Sequence, residues 1–239
     1  MKNVSEIINQ GNKNAELPAW LNMRHAWSAN DAKRDEGLAY PNNVIQIKNL
    51  DYKKEPDHQK WCEAVKLLAS QRTIGEKTSE KDSRIFYYNE PDDASNPDSE
   101  HYASNSLFDI YYPAEADAQT TYPVIVSVHG GGWFYGDKEL YSYYCCHLAS
   151  KGFAVVNFNY RLAPQNKYPA AIEDVAYLIR YIHENAGMLH LDMEKFYMLG
   201  DSAGAQLTAN YCIIAGNAAY RNKLDFFTYD RLPKAVCLN

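Results

Sequence analysis

With 239 residues, 46% of them hydrophobic, the chain can bury the core of one large domain, or of one domain with an attachment. Its 24 basic and 30 acidic residues give a formal charge of −6 without any dense Lys/Arg run, which excludes nucleic-acid binding driven by phosphate neutralisation. The first ten residues hold no apolar signal core, and no apolar run is long enough to span a bilayer.

Up to about residue 80 the sequence is polar and helix-like in short pieces. Val4, Ile7 and Ile8 make a brief apolar stripe ended by Gly11, and Trp61, Ala64, Val65 and Leu68 follow helical spacing after Pro56. Trp20, Trp27 and Tyr40 add apolar surface between them. Pieces this short bury little alone, so residues 1–80 are expected to form an N-terminal helical segment packed on something else. From residue 81 onward strand and helix alternate. Residues 85–88 and 107–112 read as an antiparallel pair across a loop carrying Pro91, Asp92, Asn96 and Pro97. Residues 124–128 and 153–158 have the β-branched and aromatic content of buried strands. Between them a helical stretch with Leu140, Tyr144 and Leu148 stops at Gly152. Ala171, Val175, Leu178 and Ile182 repeat at helical spacing beyond Pro169. Residues 195–199 form the next strand, which feeds a helix bearing Leu207, Tyr211 and Ile214, and residues 235–238 read as a last strand. This alternation predicts an α/β fold: a mostly parallel sheet with flanking helices, right-handed crossovers and working loops at the carboxyl ends of strands.

Two glycine motifs fall in such loops. His129-Gly130-Gly131-Gly132-Trp133 can turn consecutive backbone N–H groups toward one point, as the oxyanion of a tetrahedral intermediate requires. A phosphate loop would instead want a lysine and Ser/Thr directly afterwards, and Trp133 to Gly136 supply neither. Gly200-Asp201-Ser202-Ala203-Gly204 sits between a predicted strand and a predicted helix, the setting that raises a serine hydroxyl on a sharp turn. The bland alternative for Ser202 is a plain helix N-cap. Five cysteines (Cys62, Cys145, Cys146, Cys212 and Cys237) contain no Cys-x-x-Cys pair. Free thiols in a cytoplasmic setting are expected, with no metal and no cofactor. Glu173 and Asp174, consecutive on a helix, face different ways and read as structural rather than as a carboxylate pair.

In chain order, His129-Gly130-Gly131-Gly132-Trp133, Gly136-Asp137, Asn159-Tyr160-Arg161-Leu162-Ala163-Pro164, Tyr168-Pro169-Ala170-Ala171-Ile172-Glu173-Asp174 and Gly200-Asp201-Ser202-Ala203-Gly204 resemble the hormone-sensitive-lipase-like carboxylesterases of the α/β-hydrolase fold. The resemblance covers about residues 80–239. It implies that Ser202 is the nucleophile and that Gly131, Gly132 and Ala203 form the oxyanion hole. His129, Gly130, Gly200, Asp201 and Gly204 would support the two motifs. Tyr160, Arg161, Pro164, Glu173 and Asp174 would hold the neighbouring loop and helix. It also makes residues 1–80 a candidate cap, and residues 81–239 an incomplete core ending near the sixth strand.

The departure from the family lies beyond the serine. All seven histidines (His25, His58, His101, His129, His147, His183 and His190) precede Ser202. Asp225 and Asp230 come too early for the family's acid. A serine hydroxyl without a base is a poor nucleophile near neutral pH. The expectation is therefore a C-terminally incomplete serine esterase for small acyl esters, inactive alone. An exposed last strand would offer an edge for self-association. The alternatives are a ligand-binding module on the same scaffold, or one half of a two-chain esterase.

Overall fold

The structure is a computed structural model, and it describes residues 19–53, 106–117 and 119–239. The chain divides into two compact units, Met1–Leu38 with Lys77–Ala103, and Ala39–Glu76 with Ser104–Asn239. In the first, the described residues form one helix, α1 (Ala19–Arg34). It carries Trp20 and Trp27, and its Arg24 guanidinium lies 4.6 Å from the Trp20 ring centroid. Lys33 and Arg34 occupy its last turn, the sign that the carbonyl end of a helix favours.

The second unit holds a six-stranded sheet in the order β1-β2-β4-β3-β5-β6. Its strands are β1 (Val44–Asp51), β2 (Leu107–Pro113), β3 (Tyr122–Val128), β4 (Ala154–Phe158), β5 (Leu191–Gly200) and β6 (Ala235–Leu238). β2 runs antiparallel to both β1 and β4, and the remaining pairings are parallel. Among the described residues four helices accompany them: α2 (Ser142–Ala149), α3 (Ala170–Glu184), α4 (Ala203–Gly216) and the single turn α5 (Ala218–Arg221).

The two-residue period of a strand sorts side chains onto two faces. Phe108, Ile110 and Tyr112 of β2 join Ala154, Val156 and Phe158 of β4 in the larger core, with Val175, Leu178 and Ile182 of α3 and Leu207, Tyr211 and Ile214 of α4. On the opposite face Tyr111 and Val155 pack with Cys145, Cys146 and Ala149 of α2. Every residue of β4 is buried, as its uninterrupted apolar run required.

Two features differ from the sequence expectation. Residues 44–51, inside the stretch read as helical, form strand β1 and pair with β2. The strand expected at 85–88, the helix expected around 61–68 and the boundary near residue 80 lie outside the described residues. In addition, the helix expected over 140–148 begins as a 3-10 turn, Lys138–Tyr141, before α2. Asp137 causes that start: its carboxylate accepts from the amides of Glu139 and Leu140. Tyr40 secures the other end of the connection by stacking on Tyr143, with ring centroids 4.0 Å apart, and by hydrogen bonding to the Ser142 hydroxyl.

Candidate active site

Ser202 stands where β5 passes into α4, with φ 50° and ψ −114°. That backbone region costs a residue with a Cβ roughly 1–3 kcal/mol and persists only where the surroundings enforce it. The surroundings here are close backbone contacts. A Cβ on Gly200 would lie 2.4 Å from the Gly204 carbonyl oxygen, and a Cβ on Gly204 would lie 2.0 Å from that of Val128. The serine side chain makes no capping hydrogen bond, and its positive φ is not the extended conformation of an N-cap. Ser202 is exposed, and its amide donates to the Asn239 carbonyl.

The glycine loop leaves β3 next to this turn. Val128 and Gly200 are register partners on adjacent parallel strands, so the two loops start side by side at carboxyl ends. Gly131 (φ 117°), Gly132 (φ 60°) and Trp133 (φ 64°) then take three successive positive φ values. The Gly131 carbonyl is consumed by the amides of Phe134 and Tyr135, at 3.2 and 2.9 Å. Among the described residues, none accepts a hydrogen bond from the amides of Gly131, Gly132 or Ala203. The two loops that flank Ser202 therefore hold three N–H donors with no acceptor among the described residues.

His129 braces this loop from beneath. It is fully buried and stacks on Tyr160 at 4.1 Å between centroids, while the Tyr160 hydroxyl donates to the His129 carbonyl at 2.8 Å. Its Nδ1 lies 2.7 Å from the Gly130 carbonyl oxygen, a contact that requires the Nδ1–H tautomer. Burial pushes its pKa down to about 4, so the imidazole is neutral and weakly basic near pH 7. The next loop is clamped by Arg161. Its backbone N–H and its Nε both donate to buried Asp174, and Nη2 donates to Glu173 at 3.0 Å. Both acids are thus consumed in holding the loop, the structural role expected of them, although they converge on one guanidinium rather than facing different ways.

Sequence reasoning missed a buried charge network behind the loop. Lys138 Nζ lies 2.9 Å from Asp109 and 2.5 Å from Glu139, and Lys48 lies 2.9 Å from Glu139. The Asn49 amide and the Tyr111 hydroxyl also donate to Asp109. A sequence signal did exist, since Asp109 interrupts the apolar run Leu107-Phe108-Asp109-Ile110-Tyr111-Tyr112 at a strand centre. Tyr141 was missed as well. Its hydroxyl donates to Asp201 Oδ2 at 2.5 Å, and the Gly130 amide points to it at 3.4 Å. Among the described residues there is no group of three His, Cys, Asp or Glu that could hold a metal, and no helix long and apolar enough to cross a membrane.

A mostly parallel sheet in this strand order, with an exposed serine on a strained strand-to-helix turn beside a glycine loop, defines an α/β-hydrolase fold. The chain belongs to the BD-FAE family, whose model matches residues 108–236, within the hormone-sensitive-lipase-like α/β-hydrolase carboxylesterases. It is 37% identical over 101 residues to esterase LipI of Mycobacterium tuberculosis, covering 42% of this chain and 32% of that protein. It is 31% identical over 116 residues to ethyl acetate hydrolase of Pseudomonas putida, covering 48% and 36%. The fold is similar to that of esterase B from Lactobacillus rhamnosis (TM-score 0.65, 24% identity), covering 94% of this chain and 59% of that one. The matches thus span about a third of the length of these curated relatives.

Proposed function

We propose that the chain carries the nucleophile and the oxyanion hole of a serine carboxylic-ester hydrolase acting on small acyl esters. Ser202 Oγ attacks the ester carbonyl, and the amides of Gly131, Gly132 and Ala203 receive the negative charge that develops on its oxygen. Collapse transfers the acyl group to Ser202 and releases the alcohol, which takes up a proton. Water then cleaves the acyl-serine. The observation that carries this reading is the set of three amides, without an acceptor among the described residues, on the loops flanking an exposed, strained serine. The name of the Pseudomonas putida relative, ethyl acetate hydrolase, favours a small ester.

The proton on Ser202 needs a base, and the described histidines of this unit are poor candidates. His129 is buried and neutral. His183 bonds the Tyr229 hydroxyl. His190 precedes β5 while Ser202 follows it, so a ten-residue strand, about 30 Å long, separates them. His147 is exposed in the last turn of α2. The 239-residue chain alone is therefore expected to turn over little. Given p-nitrophenyl acetate, it should acylate Ser202 slowly, because an oxyanion hole and binding alone retain roughly 10³-fold catalysis over water. Added imidazole should accelerate the labelling, and Ser202→Ala should abolish it, both read by intact mass. A label that survives Ser202→Ala would overturn the assignment of the nucleophile. Brisk steady turnover that Ser202→Ala removes would overturn the inactivity.

The free thiols of Cys145, Cys146, Cys212 and Cys237 fit a cytoplasmic setting, which fractionation of the native source would check. All four residues of β6 are exposed, which supports self-association through that edge. Sedimentation at increasing protein concentration should show a dimer that Val236→Lys removes, and a strict monomer would refute it.

A further inference from the structure

We infer that Tyr141 is a positioning residue, whose hydroxyl ties the glycine loop to the serine turn and so sets the spacing between the candidate oxyanion donors and Ser202. The inference rests on the esterase reading for its purpose, although the tie itself is a matter of geometry. The hydroxyl donates to Asp201 Oδ2 at 2.5 Å and accepts from the Gly130 amide at 3.4 Å. Asp201 immediately precedes Ser202, and Gly130 immediately precedes the first candidate donor, Gly131. A hydroxyl that donates to a carboxylate becomes a better acceptor, so the two bonds reinforce each other.

The close approach depends on a missing side chain. A Cβ on Gly130 would fall 2.9 Å from Asp201 Oδ2 and 3.1 Å from the Tyr141 hydroxyl. The direct backbone bond between the two segments, from the Asp201 amide to the Val128 carbonyl, is long at 3.3 Å. The phenol bridge adds a second link beside it, short on the Asp201 arm at 2.5 Å and long on the Gly130 arm at 3.4 Å.

Tyr141 can act as a fixed post because its own base is held. It ends the 3-10 turn Lys138–Tyr141, capped by Asp137. The Lys138 amide donates to Asn159 Oδ1 at 2.7 Å, and its ammonium is locked onto buried Asp109. The Ser142 hydroxyl donates back to the Glu139 carbonyl at 2.9 Å. A rigid turn thereby reaches across with one aromatic ring and meets both loops at one oxygen.

Amide hydrogen exchange on the full 239-residue chain tests the tie without requiring turnover. Tyr141→Phe should speed exchange at the hydrogen-bonded amides of Gly130, Asp201, Ser202 and Gly204 by about tenfold to a hundredfold, the range for losing a hydrogen bond to a charged acceptor. Amides inside β3, β4 and β5 should be unchanged. Asp201→Ala should reproduce the effect, Asp201→Asn (which keeps an acceptor oxygen) should largely restore protection, and the double variant should add little to either single one. If Tyr141→Phe does not fold, the Asp201→Ala and Asp201→Asn pair carries the same comparison. Unchanged exchange at both loops, or equal acceleration across the sheet, would overturn the inference. Should the loops loosen as expected while the unsubstituted chain never acylates Ser202, the tie stands and the esterase reading fails.

Discussion

Replacing Lys138 with methionine should destabilise the chain by about 3–5 kcal/mol, because it strands a carboxylate in the interior. Asp109 has a side-chain exposure of 0% and Lys138 of 4%, with the ammonium 2.9 Å from Asp109 Oδ1. Burial opposes the charge on Lys138, but Asp109 and Glu139 outweigh it and raise the ammonium above the ordinary lysine value. Burial likewise opposes the charge on Glu139, yet Lys138 and Lys48 bring its carboxyl down to about 2. Burial pushes the Asp109 carboxyl up, and Lys138 is the largest force holding it back. Without Lys138, the nearest described cation is Lys48, 3.9 Å from Asp109 and already committed to Glu139. Urea unfolding should show the loss as a lower midpoint with an unchanged slope. Adding Asp109→Leu to Lys138→Met should recover most of it, since an apolar pair of similar volume commonly matches a buried ion pair. A single variant that costs less than about 1 kcal/mol would mean the pair is far better solvated than its burial indicates.

That network also marks where the sequence stops being legible. β3, β4 and the end of β5 could be read because continuous β-branched runs have few other fates than a buried parallel strand. β1 could not. Gln46, Lys48 and Asn49 dilute its apolar pattern, and Asn49, with φ 60°, sits where its register against β2 shifts. Its identity as a strand comes from pairing with residues some sixty positions away, such as the Asn49 amide on Asp109. The start of β5 was missed for a related reason. Residues 191–192 pair with Tyr122 and Pro123, and a register shift separates them from the regular part of the strand.

The site divides in the same way. Each glycine motif is contiguous in the chain, so its backbone consequence could be read locally: a positive-φ loop in one case, a strand-to-helix turn in the other. The groups that relate one motif to the other are distant in sequence and chemically ordinary. Tyr141 is one of 20 tyrosines, and nothing near it in the chain indicates that its hydroxyl ends between Gly130 and Asp201.

A methyl group on Gly204 should be among the most damaging single additions to this unit. The Cβ would lie 2.0 Å from the Val128 carbonyl oxygen and 2.6 Å from that of His129, both backbone atoms at the end of a central strand. No rotamer change can relieve such a clash, so α4 must move away from β3. That helix anchors Leu207, Tyr211 and Ile214 in the larger core, and its first turn carries Ala203. Gly204→Ala should therefore cost at least about 3 kcal/mol, the upper end of overpacking penalties. Acylation of Ser202 should be lost with it. Gly152→Ala supplies the contrast. Gly152 has φ +98° but nothing within 4 Å of its missing Cβ, so only the backbone penalty applies, about 1–2 kcal/mol. Thermal unfolding of both variants separates the two costs. If Gly204→Ala melts with Gly152→Ala, the strand and helix have slack between them. If it melts far lower, the glycine is required for the close approach of the serine-bearing turn to the strand that leads into the glycine loop.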